Sequence, residues 1–120
     1  MSEFARHFGE GPVSLSEVAR NQGISQPYLE QIAIELRRNG LLRSRRGAQG
    51  GYYLARSPHE ITASDVIRAL EGSILPIQCV ADTKCEPCSM EDGCSARGIW
   101  EQVRDRLVET LDSISLADLE

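Results

Sequence analysis

The chain has 120 residues, 41% of them hydrophobic and 26% charged, with a net charge of −5 at pH 7. That is the composition of one small globular domain, and no apolar run approaches the about 20 residues that span a bilayer. Collagen-like repeats, disorder, a membrane span and a second full domain are excluded; with no basic-then-apolar opening stretch of secretory type, the expected setting is the cytoplasm.

Aromatic residues make up only 5% of the chain, so the core has to be aliphatic and modest. A single core of this size is marginal, and a dimer interface or a bound metal is an expected source of further stability. The charge is unevenly spread. Residues 1–19 carry a net −2, residues 20–56 carry seven arginines against two glutamates for a net +5, and residues 57–120 carry a net −8. Screening confines each charge to a reach of about 8–10 Å, so a local basic face matters more to a polyanion than the total. A merely solvated basic face would give the same pattern.

Residues 1–8 can form a helix with Phe4 and Phe8 on one side, before Gly9, Gly11 and Pro12 break it. Ser14 to Glu17 fit a capping box, opening a short helix that runs through Arg20 and stops at Gly23. Ser25 offers a second N-cap, with Pro27 tolerated in the first turn of a longer helix that ends at Asn39-Gly40. Two helices joined by the tight turn Asn21–Ile24 read as a helix-turn-helix.

Two short strands follow, Leu41 to Ser44 and Tyr52 to Ala55, around a loop that holds Arg45, Arg46 and three glycines. A hairpin with arginines at its tip directly after a helix-turn-helix is a winged helix. Its arginines can reach phosphates or a narrow minor groove. Thr62 to Asp65 open another capped helix, closed by Gly72, and His59 before it reads as a plain surface histidine. From Ser95 to about Ser113 the residues Ile99, Val103, Leu107, Leu111 and Ile114 recur as the apolar stripe of a long amphipathic helix. A second copy of the chain is its most economical partner. The expected class is mainly α with a small β-hairpin wing: residues 1–72 a winged helix, 73–94 a cysteine loop, 95–120 a dimerisation helix. No internal repeat or low-complexity tract interrupts this order.

The cysteines fall as Cys79-x5-Cys85-x2-Cys88-x5-Cys94 in a polar, irregular stretch. In a reducing compartment this points to metal or redox chemistry rather than a disulfide framework. Only Cys85 to Cys88 has zinc-knuckle spacing. The wider intervals suit a loop draped around an iron–sulfur cluster, with zinc or a thiol switch left open.

Together these residues resemble the IscR family of bacterial winged-helix regulators, whose relatives include NsrR and CymR. The resemblance runs through Val13 to Ala19, Ile24 to Gln31, Leu36 to Leu41, Arg46-Gly47 and Gly50 to Tyr52. It continues through Cys79, Cys85, Cys94, Trp100 and Ile114 to Leu119. It implies a homodimer on roughly palindromic promoter DNA, with Ser25, Tyr28, Glu30 and Gln31 at DNA-contacting positions of the recognition helix. A glutamate can accept from cytosine N4 and a glutamine can read adenine. The resemblance also puts Arg46 in the minor groove, with Arg45 beside it. It assigns Cys79, Cys85 and Cys94 to a [2Fe–2S] cluster, with [4Fe–4S] or zinc as lesser alternatives. The family's cluster-binding type completes its ligands with a histidine where this chain has Arg97, a donor that cannot ligate iron. Cys88, in an apparent insertion, is the natural substitute. Family members also carry further residues before the position of Met1, which can supply a carboxylate ligand.

The function expected is that of a DNA-binding repressor controlled by its cluster and governing iron–sulfur biogenesis or redox and nitric-oxide stress genes. The alternatives are a cluster-free regulator of sulfur metabolism like CymR, or a zinc-binding interaction module. No nucleophile–base pair, paired acid and base, or phosphate loop suggests an enzyme.

Overall fold

A computed structural model describes residues 1–75, 77–81 and 88–119. The helices are α1 (Ser2–Arg6), α2 (Leu15–Gln22), α3 (Gln26–Arg38), α4 (Ala63–Glu71) and α5 (Arg97–Asp112). The strands β1 (Leu42–Arg45) and β2 (Gly51–Leu54) form an antiparallel hairpin. Short 3-10 turns lie at Gln78–Val80, Glu91–Gly93 and Leu116–Leu119. The chain is mainly helical with a small hairpin, as its periodicities require. No described helix is long and apolar enough to cross a membrane.

α1 is shorter than its sequence suggests. It ends at Arg6, so Phe4 is buried while Phe8 lies in the following turn, 48% exposed. The shared Phe4–Phe8 face does not form. α2, by contrast, runs two residues past Arg20. The Glu3 carboxylate accepts hydrogen bonds from Asn21 Nδ2 at 2.9 Å and Gln22 Nε2 at 3.1 Å, which holds the last turn. At its other end the Ser14 hydroxyl accepts from the Glu17 amide at 3.2 Å and meets the Ser16 hydroxyl rather than completing a reciprocal box.

Gly23 closes α2 in the left-handed region at φ 64°, and its amide and that of Ile24 both donate to the Ala19 carbonyl. The chain can then turn within three residues into α3. Leu29, Ala33 and Leu36 bury one face of α3, and Pro27 sits in its first turn, where the missing N–H is harmless. Ser25 holds the N-cap position without a side-chain capping bond.

Leu41 donates back to the Leu36 carbonyl, so the strand proper starts one residue later than expected, at Leu42. The register pairs Leu42 with Leu54, Arg43 with Tyr53, Ser44 with Tyr52 and Arg45 with Gly51. Val13 adds a one-residue third rung beside β2, exchanging bonds of 2.8 and 2.9 Å with Tyr52. A side chain at Gly51 would run into the Val13 backbone, so only glycine permits this rung.

Thr62 and Asp65 make a complete capping box at the start of α4. Further along, the fully buried Ser64 hydroxyl donates to Asp112 at the end of α5, and Arg68 reaches the same carboxylate at 3.6 Å. The chain after α5 returns to the body: Ala63 donates to the Ile114 carbonyl at 2.8 Å, and Leu116 to that of Ile61 at 2.9 Å. Leu116 thereby joins Phe4, Leu36, Leu42, Leu54 and Ile61 in one core.

Candidate functional site

α3 presents its outer side at the N-terminal half. Tyr28 is 59% exposed, and Ser25, Glu30 and Gln31 are exposed beside it. Because Ser25 makes no capping bond, its hydroxyl is spare for an outside partner. Glu30 is touched only loosely by Gln26 Nε2 at 3.5 Å. Arg45 ends β1 and Arg46 opens the wing loop, both exposed. The residues named from the sequence for DNA contact thus lie on two elements, α3 with its N-cap and the wing.

The fold brings further arginines to the wing that sequence reasoning passed over. Arg37, Gly40, Leu42, Arg43, Ser44, Tyr53, Ala55 and Arg56 line one groove at its root. Arg37 is held by its Nη1 donating to the Ser44 hydroxyl at 3.2 Å. Arg38 points elsewhere, paired with Glu35 at 2.7 Å. The net +5 of residues 20–56 was the available signal, but it did not say which arginines converge.

The cysteines divide. Cys79, in the turn Gln78–Val80, is half-buried, whereas Cys88 and Cys94 are exposed free thiols. Cys85 lies outside the described residues. The turn bearing Cys79 is seated on α5: Val80 is fully buried and its carbonyl accepts from Arg104 Nη1 at 3.3 Å. Arg97 is occupied by an ion pair with Glu101 at 2.9 Å. Cysteine thiolates are the donor type that iron–sulfur clusters use, so the described cysteines fit such a group in chemistry. Among the described residues, no three ligating side chains are gathered to hold a metal ion.

α5 buries none of its residues. Ile99 is 64% and Leu107 39% exposed, and a shallow groove between them is lined by Gln102, Val103, Arg106 and Thr110.

Helix, turn, helix and a basic hairpin, in that order around one core, define a winged-helix DNA-binding transcription regulator. A family model described as an iron-dependent transcriptional regulator, Rrf2, matches residues 1–120, and the chain belongs to the Rrf2 family. It is similar to CymR of Bacillus subtilis, 44% identical over 99% of this chain and 80% of that relative. It is also similar to IscR of Photorhabdus laumondii, 40% identical over 99% of this chain and 71% of the relative. The structure of the B. subtilis CymR, a global cysteine regulator, superposes with a TM-score of 0.80, covering 98% of this chain and 84% of that one. That of T. potens IscR superposes with a TM-score of 0.74 at 47% identity, covering 98% and 75%. These relatives are transcription regulators rather than enzymes, and so is this chain.

Proposed function

We propose that the chain is a homodimeric repressor whose operator affinity is set by a [2Fe–2S] cluster held by Cys79, Cys85, Cys88 and Cys94. Ser25, Tyr28, Glu30 and Gln31 read base edges in the major groove, and Arg45 and Arg46 contact phosphates and the minor groove. The targets are genes of iron–sulfur supply or of redox and nitric-oxide stress. The observation that carries the reading is the grouping of four cysteines within residues 79–94, the first of them in a turn fastened to α5 through Val80 and Arg104.

When bound, a cluster supplies redox-active iron held by thiolates. The protein's part is mechanical. Metal binding and the ordering of a ligand segment are coupled. Ordering at Cys79 bears on α5 through the Arg104–Val80 bond, and α5 carries the dimer contact that sets the spacing of the two recognition helices. Arg97 takes no part as a ligand, because its guanidinium is a permanent donor already engaged by Glu101. Cys88 is the fourth donor in this reading, with a carboxylate from residues before the position of Met1 as the alternative.

The test is anaerobic purification followed by a visible spectrum with iron, sulfide and zinc analysis. Brown protein with about two iron and two sulfide per chain is expected, with Cys88→Ala lowering occupancy or making the cluster oxygen-labile. Full iron and an unchanged spectrum in Cys88→Ala would remove Cys88 from the ligand set. The likeness to CymR favours a second reading, a cluster-free regulator of sulfur metabolism. Colourless, metal-free protein that still binds promoter DNA is its signature, and about one zinc per chain would mark a structural metal instead. Four cysteines between positions 79 and 94 have no evident use in the cluster-free case.

A further inference from the structure

We propose that Arg37, Arg43 and Arg56 form a phosphate-binding groove at the root of the wing, which grips the DNA backbone alongside the bases read by α3. The inference rests on the DNA-binding reading and extends it to residues outside the helix face and the wing tip.

The groove carries three guanidinium groups and no acidic side chain among its lining residues. Arg43 has no ion-pair partner among the described residues, and Arg56 has only Asp65 at 4.0 Å, the outer limit of an ion pair. Gathering three like charges against one distant carboxylate is unfavourable for the isolated protein, and an arriving polyanion relieves it. Arg37 is pre-positioned by the Ser44 hydroxyl at 3.2 Å, which lowers the ordering cost of its fork on a phosphate.

The groove is also continuous with the wing. Arg43 and Arg45 alternate along β1 and so stand on the same face, and Tyr53 is the cross-strand partner of Arg43. Tyr53 lines both this groove and the next one, where Arg45 sits with Phe8, Gly9, Gly11 and Pro12. A strip Arg56–Arg43–Tyr53–Arg45 thus runs from the wing's root toward its tip. A duplex backbone, with a phosphate every several ångströms, matches a strip better than a single small anion does. The competing explanation is that these arginines merely keep the open edge of β1 from pairing with another strand.

Salt dependence separates the two. Binding of the full chain to a mixed-sequence duplex of about 30 base pairs is measured across about 50–200 mM salt, because backbone contacts need no particular sequence. Arg43→Gln with Arg56→Gln should flatten the log–log salt slope by about 0.9 for each lost phosphate contact in each protomer. It should weaken binding on the order of ten- to a hundredfold at 100 mM, while Tm stays level or rises as like-charge crowding is relieved. Glutamine keeps the stem and polarity, so the edge of β1 stays guarded. Arg46→Gln serves as the control. If Arg46→Gln flattens the slope and the double variant does not, the groove proposal is overturned and the wing reading stands. If wild-type protein shows no salt-dependent binding at all, the DNA-contact assignments fail together with it.

Discussion

Glu3 shows how one side chain can lengthen a helix eighteen residues away. Its carboxylate accepts from Asn21 and Gln22, lies 3.5 Å from Arg6 and is itself buried. The Asn21 hydrogen bond, helped by Gln22 and the Arg6 and His7 charges, outweighs burial and holds its pKa below the ordinary value. A lowered carboxylate pKa stabilises the fold fully above the unfolded-state value, and that stability is lost as pH falls through the folded value. Unfolding measured by urea midpoint should therefore decline on the acid side of the carboxylate range. Glu3→Gln should lose stability at neutral pH and show a shallower acid limb; an acid limb as steep as wild type would assign the decline to other carboxylates.

At the scale of elements, three helices open on a hydroxyl residue, yet only two of the hydroxyls cap. Ser14 and Thr62 accept from the amides of Glu17 and Asp65, whereas Ser25 makes no capping bond. Thr62→Ala should lower stability by about 1 kcal/mol, because the box is complete and the next residue, Ala63, is bonded to Ile114 in the chain that follows α5. Ser25→Ala should change stability by less than about 0.5 kcal/mol while weakening binding to promoter DNA. Thermal unfolding and fluorescence anisotropy on the same two variants check both halves, and a large loss of stability in Ser25→Ala would restore it to a capping role. The capping signals were legible in the sequence; which hydroxyl is spent on its helix was not.

For the molecule as a whole, the dominant feature is α5. The chain measures 59 × 27 × 23 Å, and α5 leaves Ile99, Trp100 and Leu107 uncovered. Exposed apolar side chains along one helix are what the proposed homodimer would cover, and a helix whose stripe is read by the same residues in each protomer suits a two-fold pair. Ile99→Glu with Leu107→Glu should convert a dimer to a monomer in sedimentation analysis and weaken promoter binding through loss of the paired half-sites. A variant that still sediments as a dimer would move the interface elsewhere.

The sequence by itself determined the order of elements, the two-helix turn at Gly23, the wing and its arginine tip, the capped start of α4, and the apolar stripe of α5. Each is written in spacings of a few residues, where backbone sterics, capping and periodicity act locally. Only the tertiary structure decided what depends on residues far apart in the chain. It stopped α1 before Phe8, extended α2 through Glu3, and returned Leu116 to the core of the winged helix. It also brought Arg37, Arg43 and Arg56 into one groove. Those outcomes follow from packing and long-range hydrogen bonds, whose partners no local pattern names.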